Sequence, residues 1–287
     1  AAGVHGVDVA AGLRRRLVER DVVRPGERAR GGEPADPGAD DRHAHPSQRT
    51  IETTAMERVV DLGGALGSGG LLVRPRGAHA LLVLAHGAGA GMRHPFLADL
   101  ACGLAAHGVA TLRWEFPYMA AGRRRPDAPE IAEAAGREAW AASARFRLPR
   151  FAGGKSFGGR MTSRAHAAAP LPGAHGLVLI GYPLVPAGGD ERRAAERAAH
   201  LPRAAGPLLF VSGDRDALAP LPRLRPVVRG LGRRAALHVI AGADHGFDVL
   251  VRSGRTRADV QAELAGTITA WIAENLRGHR RKSEADT

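Results

Sequence analysis

The sequence predicts an α/β protein: a mostly parallel central sheet with helices on both faces. Three observations carry that prediction. From about residue 57 onward, short apolar runs alternate with longer stretches of helical spacing, the pattern of successive βαβ units. The short runs are nearly pure Leu, Val, Ile and Ala, as strands covered on both faces must be. The length of 287 residues suits one sizeable domain with an appendage rather than a repeat array.

Taken in order, residues 1–55 come first and are rich in Gly, Pro, Asp and Arg, as in Gly32-Glu33-Pro34-Ala35-Asp36-Pro37-Gly38. They hold too little periodic apolar surface to offset the entropy of ordering, so a disordered extension is expected. Met56 stands just before the first apolar run, and the natural product is expected to begin there. Strands are then predicted at Arg58–Leu62, Gly70–Arg74, Ala80–Ala85, Val109–Trp114, Arg150–Gly153, Gly176–Ile180, Pro207–Ser212 and Ala236–Ile240. Helices are predicted between them at about Pro95–Ala106, Ala128–Arg147, Phe157–Ala168, Asp190–His200, Leu218–Leu231 and Arg257–Leu276. The working domain is thus 56–276, and 277–287 reads as a solvated tail. The connections after Trp114 and after Gly181 are too short to build a large cap domain.

Composition removes several function classes. No window approaches the ~18 consecutive apolar residues of a membrane helix, and no basic-then-apolar leader opens the chain, so a soluble cytoplasmic protein is expected. The formal net charge is +12, yet residues 1–55 balance nine arginines against nine acidic residues, and only Lys155 and Lys282 are lysines. The remaining arginines are scattered among Ala, Gly and Pro, and aromatic residues make up only 4% of the chain. Without a nucleic-acid motif or stacking residues, the charge does not point to nucleic acid as a partner. The single Cys102 lies in the apolar stretch Leu100-Ala101-Cys102-Gly103-Leu104, where a buried thiol is expected, and it supports neither an internal disulfide nor a zinc site.

Chemistry concentrates at three strand ends. Gly154-Lys155-Ser156-Phe157-Gly158 matches G-x-S-x-G, in which a strand turns sharply into a helix and presents a serine hydroxyl. With 38 glycines in the chain the pattern alone is weak, but here it sits between a predicted strand and a predicted helix. The loop His86-Gly87-Ala88-Gly89-Ala90-Gly91 follows an earlier strand. Acyl transfer needs donors aimed at a developing oxyanion, and the amides of Ala88 and Phe157 are the expected pair. A dinucleotide or phosphate loop is disfavoured because the third glycine of G-x-G-x-x-G and a closing Lys-Ser/Thr are absent. A serine also needs a base, and the base an acid that fixes its tautomer, in the chain order Ser, acid, His. His245 follows the last strand, and the acid is Asp216 or Asp214 in Gly213-Asp214-Arg215-Asp216; Asp216 is favoured because it stands farther past the strand end.

These residues resemble the α/β-hydrolase superfamily, and more narrowly a dienelactone-hydrolase-related family that includes testis-expressed protein 30 and the third regulatory subunit of the NSL chromatin complex. The resemblance runs through His86–Met92 with His94-Pro95-Phe96, Leu112–Met119, Gly154–Met161, Gly181–Leu184, Gly213–Asp216 and Gly242–His245. It implies the α/β-hydrolase fold, with Ser156 as nucleophile, Asp216 as acid and His245 as base; chemistry on these three residues is expected to need neither a metal nor an organic cofactor. The expected activity is hydrolysis of a small ester or thioester through an acyl-enzyme. The alternatives are a non-catalytic interaction module on the same fold, and acyltransferase or haloperoxidase-like chemistry on the same three residues. Arg113, Arg123 and Arg160 flank the motifs and are candidate contacts for an anionic substrate. The sequence is silent on oligomeric state.

Overall fold

The computed structural model describes residues 56–285 apart from 65, 68 and 187–191. The reading of residues 1–55 as disordered lies outside the described residues. Among the described residues eight strands form one sheet: β1 (Glu57–Val60), β2 (Gly70–Val73), β3 (Ala80–Ala85), β4 (Val109–Trp114), β5 (Arg150–Lys155), β6 (Ala174–Ile180), β7 (Leu208–Gly213) and β8 (Ala235–Ile240). Their order is β1-β2-β4-β3-β5-β6-β7-β8. The six strands from β4 to β8 in that order run parallel, and β2 and β1 add an antiparallel flank.

The period of two in the strand sequences sorts their side chains between two apolar layers. On β3, Leu81, Val83 and Ala85 face one core, while Ala80, Leu82 and Leu84 face the other. The first layer is completed by Ala132, Ala135, Ala139 and Trp140 of helix α3 (Pro129–Ser143), Met161 of α4 (Phe157–Ala168), and Leu224 and Val228 of α6 (Leu221–Gly230). The second layer is closed by α1 (Pro95–Ala106), through Phe96, Leu97, Leu100 and Leu104, and by α7 (Arg257–Ala285), through Val260, Leu264, Ile268 and Ile272. Beyond α3, the connections after β4 and β6 add in α-helix only the short α2 (Pro117–Ala120) and α5 (Arg193–Ala198) among the described residues.

Three local expectations are corrected. The last helix does not stop at Leu276 but continues to Ala285. The single turn of α2 is additional; Pro117 presets its first φ, and the buried Asp127 carboxylate accepts the Tyr118 N–H at 2.8 Å. Cys102 is exposed, because the buried stripe of α1 runs through 96, 97, 100, 101, 104 and 105 and leaves 102 on the opposite side. No helix among the described residues is long and apolar enough to cross a membrane.

Candidate active site

The β5-to-α4 turn is as sharp as its sequence demands. Ser156 has φ 53° and ψ −115°, a conformation that costs a non-glycine residue about 1–3 kcal/mol and is held by its surroundings. Its N–H donates to the Ile180 carbonyl at 2.8 Å, and its own carbonyl accepts from Arg160 N at 3.0 Å. The close approach requires glycine on both sides. A Cβ on Gly154 would lie 2.5 Å from Gly158 C and Gly159 N, and one on Gly158 would lie 2.5 Å from the His86 carbonyl oxygen. The hydroxyl is thereby lifted to the carboxyl edge of the sheet, where sites of this architecture collect.

Two loops from that edge meet the serine. At the end of β7, a Cβ on Gly213 would sit 2.0 Å from the Ala243 carbonyl, so glycine lets the β7 loop lie directly against the β8 loop. The β8 loop is closed by Asp244, whose Oδ1 accepts from Gly246 N at 2.8 Å and Asp248 N at 3.0 Å. The result aligns three side chains. His245 Nε2 lies 2.9 Å from Ser156 Oγ, and His245 Nδ1 lies 2.9 and 2.8 Å from the two carboxylate oxygens of Asp216. Asp216 is 2% exposed, and its Oδ1 also accepts from Leu218 N at 2.8 Å and Ala219 N at 3.1 Å. An acceptor-only carboxylate against Nδ1 puts the proton there and leaves Nε2 free to accept from the serine hydroxyl. Asp214 is exposed and accepts from Gly242 N at 2.8 Å, so it pins the loop instead of meeting the imidazole. His200 is buried against Ser163 Oγ and His238 pairs with Glu263, both apart from this group.

The loop after β3 is held by its own histidine. The buried His86 ring accepts the Phe116 N–H at Nε2, 3.1 Å away, so its proton is on Nδ1, which donates to the Gly87 carbonyl at 2.7 Å. Burial lowers the pKa of His86, in keeping with this neutral form. The Gly87 carbonyl and the Ala88 N–H belong to one peptide plane, so the ring fixes the direction of that N–H. Tyr118 adds a second tie by accepting the Gly89 N–H at 3.0 Å. The Phe157 amide opens α4, where the first N–H groups have no helical acceptor and the helix dipole favours negative charge.

These groups border a cavity of about 340 Å³. Its wall is mainly apolar, with Gly87, Ala88 and Ala90 from the β3 loop, Phe96 and Leu97 from α1, and Leu218; Ser156, His245, His94 and Lys155 supply most of its polar groups. The three arginines proposed as substrate contacts do not line it. Arg113 is 1% exposed, donates to the Met92 carbonyl at 3.1 Å and pairs with Glu57. Arg123 pairs with Asp127 at 2.7 Å and anchors the segment after α2. Arg160 is half-buried beside Tyr182 and Arg164. The cation that does reach the cavity is Lys155, the unspecified residue of G-x-S-x-G. Its signal in the sequence was rarity: a lysine kept where arginine takes almost every other basic position. Among the described residues no cluster of three His, Cys, Asp or Glu side chains could hold a metal ion.

A family model described as an alpha/beta hydrolase domain matches residues 78–273. Among solved structures, the chain is similar to a dienelactone hydrolase from Anabaena variabilis, with 21% identity over 76% of this chain and 97% of that one and a TM-score of 0.60. It is similar to an α/β serine hydrolase without lid from Xanthomonas campestris, with 18% identity, 75% and 94% coverage and a TM-score of 0.58. A third likeness is to an α/β serine hydrolase homologue from Coxiella burnetii, with 20% identity, 76% and 97% coverage and a TM-score of 0.55. At such identities the likeness is one of fold.

Proposed function

Because the chain belongs to the alpha/beta hydrolase domain family, we propose that it is a serine hydrolase that cleaves a small ester or thioester through an acyl-enzyme. The observation that carries this reading is the hydrogen-bonded line from Ser156 Oγ through His245 to Asp216, with 2.9 Å on the serine side and 2.8 Å on the carboxylate side. Ser156 Oγ attacks the carbonyl carbon while His245 Nε2 takes its proton, and the carbonyl oxygen becomes an oxyanion facing the amides of Ala88 and Phe157. The imidazolium, steadied by Asp216, returns that proton to the leaving alkoxide or thiolate as the tetrahedral adduct collapses. Water then attacks the acyl-serine, His245 accepts its proton, and the second collapse restores the serine hydroxyl and releases the acid. The working unit is residues 56–276, acting in the cytoplasm without a cofactor. The finer kinship to the group of testis-expressed protein 30 is part of this proposal and is supported by the run of motifs from His86 to His245.

If Asp216 is the acid, Asp216→Asn removes the acceptor that selects the Nδ1–H tautomer and should lower kcat by roughly 10³- to 10⁴-fold. Asp214→Asn should leave kcat within about threefold, since the asparagine Oδ1 can still accept the Gly242 N–H that pins the loop. Steady-state rates on p-nitrophenyl butyrate decide between them, and the reverse ranking would move the acid to Asp214.

The substrate should be small. A cavity of about 340 Å³ lies near the lower end of ligand pockets and must hold acyl and alcohol parts together. Each further buried CH₂ contributes about 0.8 kcal/mol only while there is wall to receive it. Among p-nitrophenyl esters, kcat/KM should therefore be highest for acetyl or butyryl and fall for dodecanoyl. A dodecanoyl preference would contradict the size argument.

A further inference from the structure

The acyl-transfer steps leave Lys155 without a role, although it ends β5 immediately before Ser156 and borders the same cavity. Its Nζ donates to the His245 carbonyl at 2.6 Å. The ammonium lies 5.2 Å from the Phe247 ring centroid and 5.7 Å from that of Phe96, within cation–π range of both. A Cβ on Gly181 would stand 3.2 Å from Nζ, so the end of β6 closes the slot from another side. We propose that Lys155 is a positioning residue: its ammonium holds the His245 backbone against the end of β5, so that the imidazole stays in line with the Ser156 hydroxyl. Nucleophile and clamp are adjacent residues at the end of β5, and the clamp therefore ties the β8 loop to the strand end that carries the serine. The ammonium already faces two rings, a carbonyl and the nearby carboxylates of Asp216, Asp244 and Asp248, which leaves little positive field for an anionic substrate.

The clamp has a pH signature. Burial pushes Lys155 down to about 8, against the pull of Asp216, Asp244 and Asp248. Besides those three carboxylates, the titratable groups that face it are His245, which it holds, and His94, across the cavity at the start of α1. A neutral amine makes a hydrogen bond about half as strong as an ammonium does, so the hold on His245 weakens as pH rises through 8. Stability moves the other way. The folded state binds the Lys155 proton less tightly than the unfolded chain, so the contribution of this group to stability rises between pH 8 and its ordinary value of 10.5.

The inference rests on the proposed role of His245, and the test separates the two. In the full chain, Lys155→Met removes the charge and keeps the stem's volume. Amide hydrogen exchange in residues 243–249 should accelerate by about tenfold or more without loss of melting temperature, because a partly buried, desolvated charge is replaced by an apolar side chain. On p-nitrophenyl butyrate, kcat should fall on the order of 10- to 100-fold with KM within about twofold, and the alkaline decline near pH 8 of the wild-type profile should disappear. Unchanged exchange in that loop, or an unchanged kcat with the alkaline decline retained, overturns the proposal. If the variant does not fold, the wild-type protein still decides. Exchange in 243–249, corrected for intrinsic chemistry, must accelerate from about pH 7 to 9.5, and no change overturns the clamp. Accelerated loop exchange in a protein that turns over no ester supports the clamp and sinks the hydrolase reading instead.

Discussion

Ser156→Ala is expected to lower ester turnover by roughly 10⁴- to 10⁶-fold while the protein stays folded. The change deletes the attacking oxygen and nothing else that the elbow needs. The Ser156 backbone keeps its N–H bond to the Ile180 carbonyl, and the glycines at 154 and 158 still admit the turn. Alanine inherits the backbone strain at φ 53° without adding to it, so the stability change should stay within about 1 kcal/mol. Calorimetry and steady-state kinetics on one preparation check both halves. A purified variant with more than a few per cent of wild-type activity would remove Ser156 from the chemistry.

His245→Ala should be of comparable size, because both the acylation and the deacylation step lose their proton carrier. The two losses should not add. Once the base is gone the hydroxyl is no longer activated, so Ser156→Ala/His245→Ala should be no slower than the worse single variant. Stability should suffer more than at Ser156. Removing the imidazole takes one partner from the buried Asp216 carboxylate, but the amides of Leu218 and Ala219 remain on it, and a loss of about 1–3 kcal/mol is expected. Additive losses in the double variant would mean that the two residues act in separate ways.

How much of this was legible in the sequence depends on the range of the interaction involved. The strands could be read because burial on both faces leaves an unbroken apolar run, as in Ala80–Ala85, and the elbow because steric contact dictates glycine at 154 and 158. Ser156, His245 and Asp216 could be nominated from loop position and chain order. Their mutual distances depend on a backbone contact between Gly213 and Ala243, thirty residues apart, which no local pattern encodes. Arg113 was misread because nearly every basic residue is arginine, so composition hid the difference between a solvated guanidinium and one buried under the Met92 carbonyl beside Glu57. Cys102 looked apolar by neighbourhood, whereas helical phase decides its exposure. Residues 277–285 lack an apolar period, so the reading ended α7 at Leu276, although their Arg, Lys and Glu are good helix formers. The cavity wall gathers side chains from five separate segments, and Lys155 acquires its meaning only from Phe96, Phe247 and the His245 carbonyl around it.

The central claim is that Ser156 is a nucleophile activated by His245. It is tested most directly by treating the intact protein with a fluorophosphonate and locating the adduct by peptide mass spectrometry. One stoichiometric adduct on Ser156, formed slowly or not at all in His245→Ala and absent in Ser156→Ala, is the predicted result. A wild-type protein that leaves Ser156 unmodified, or one labelled equally fast without His245, would contradict it.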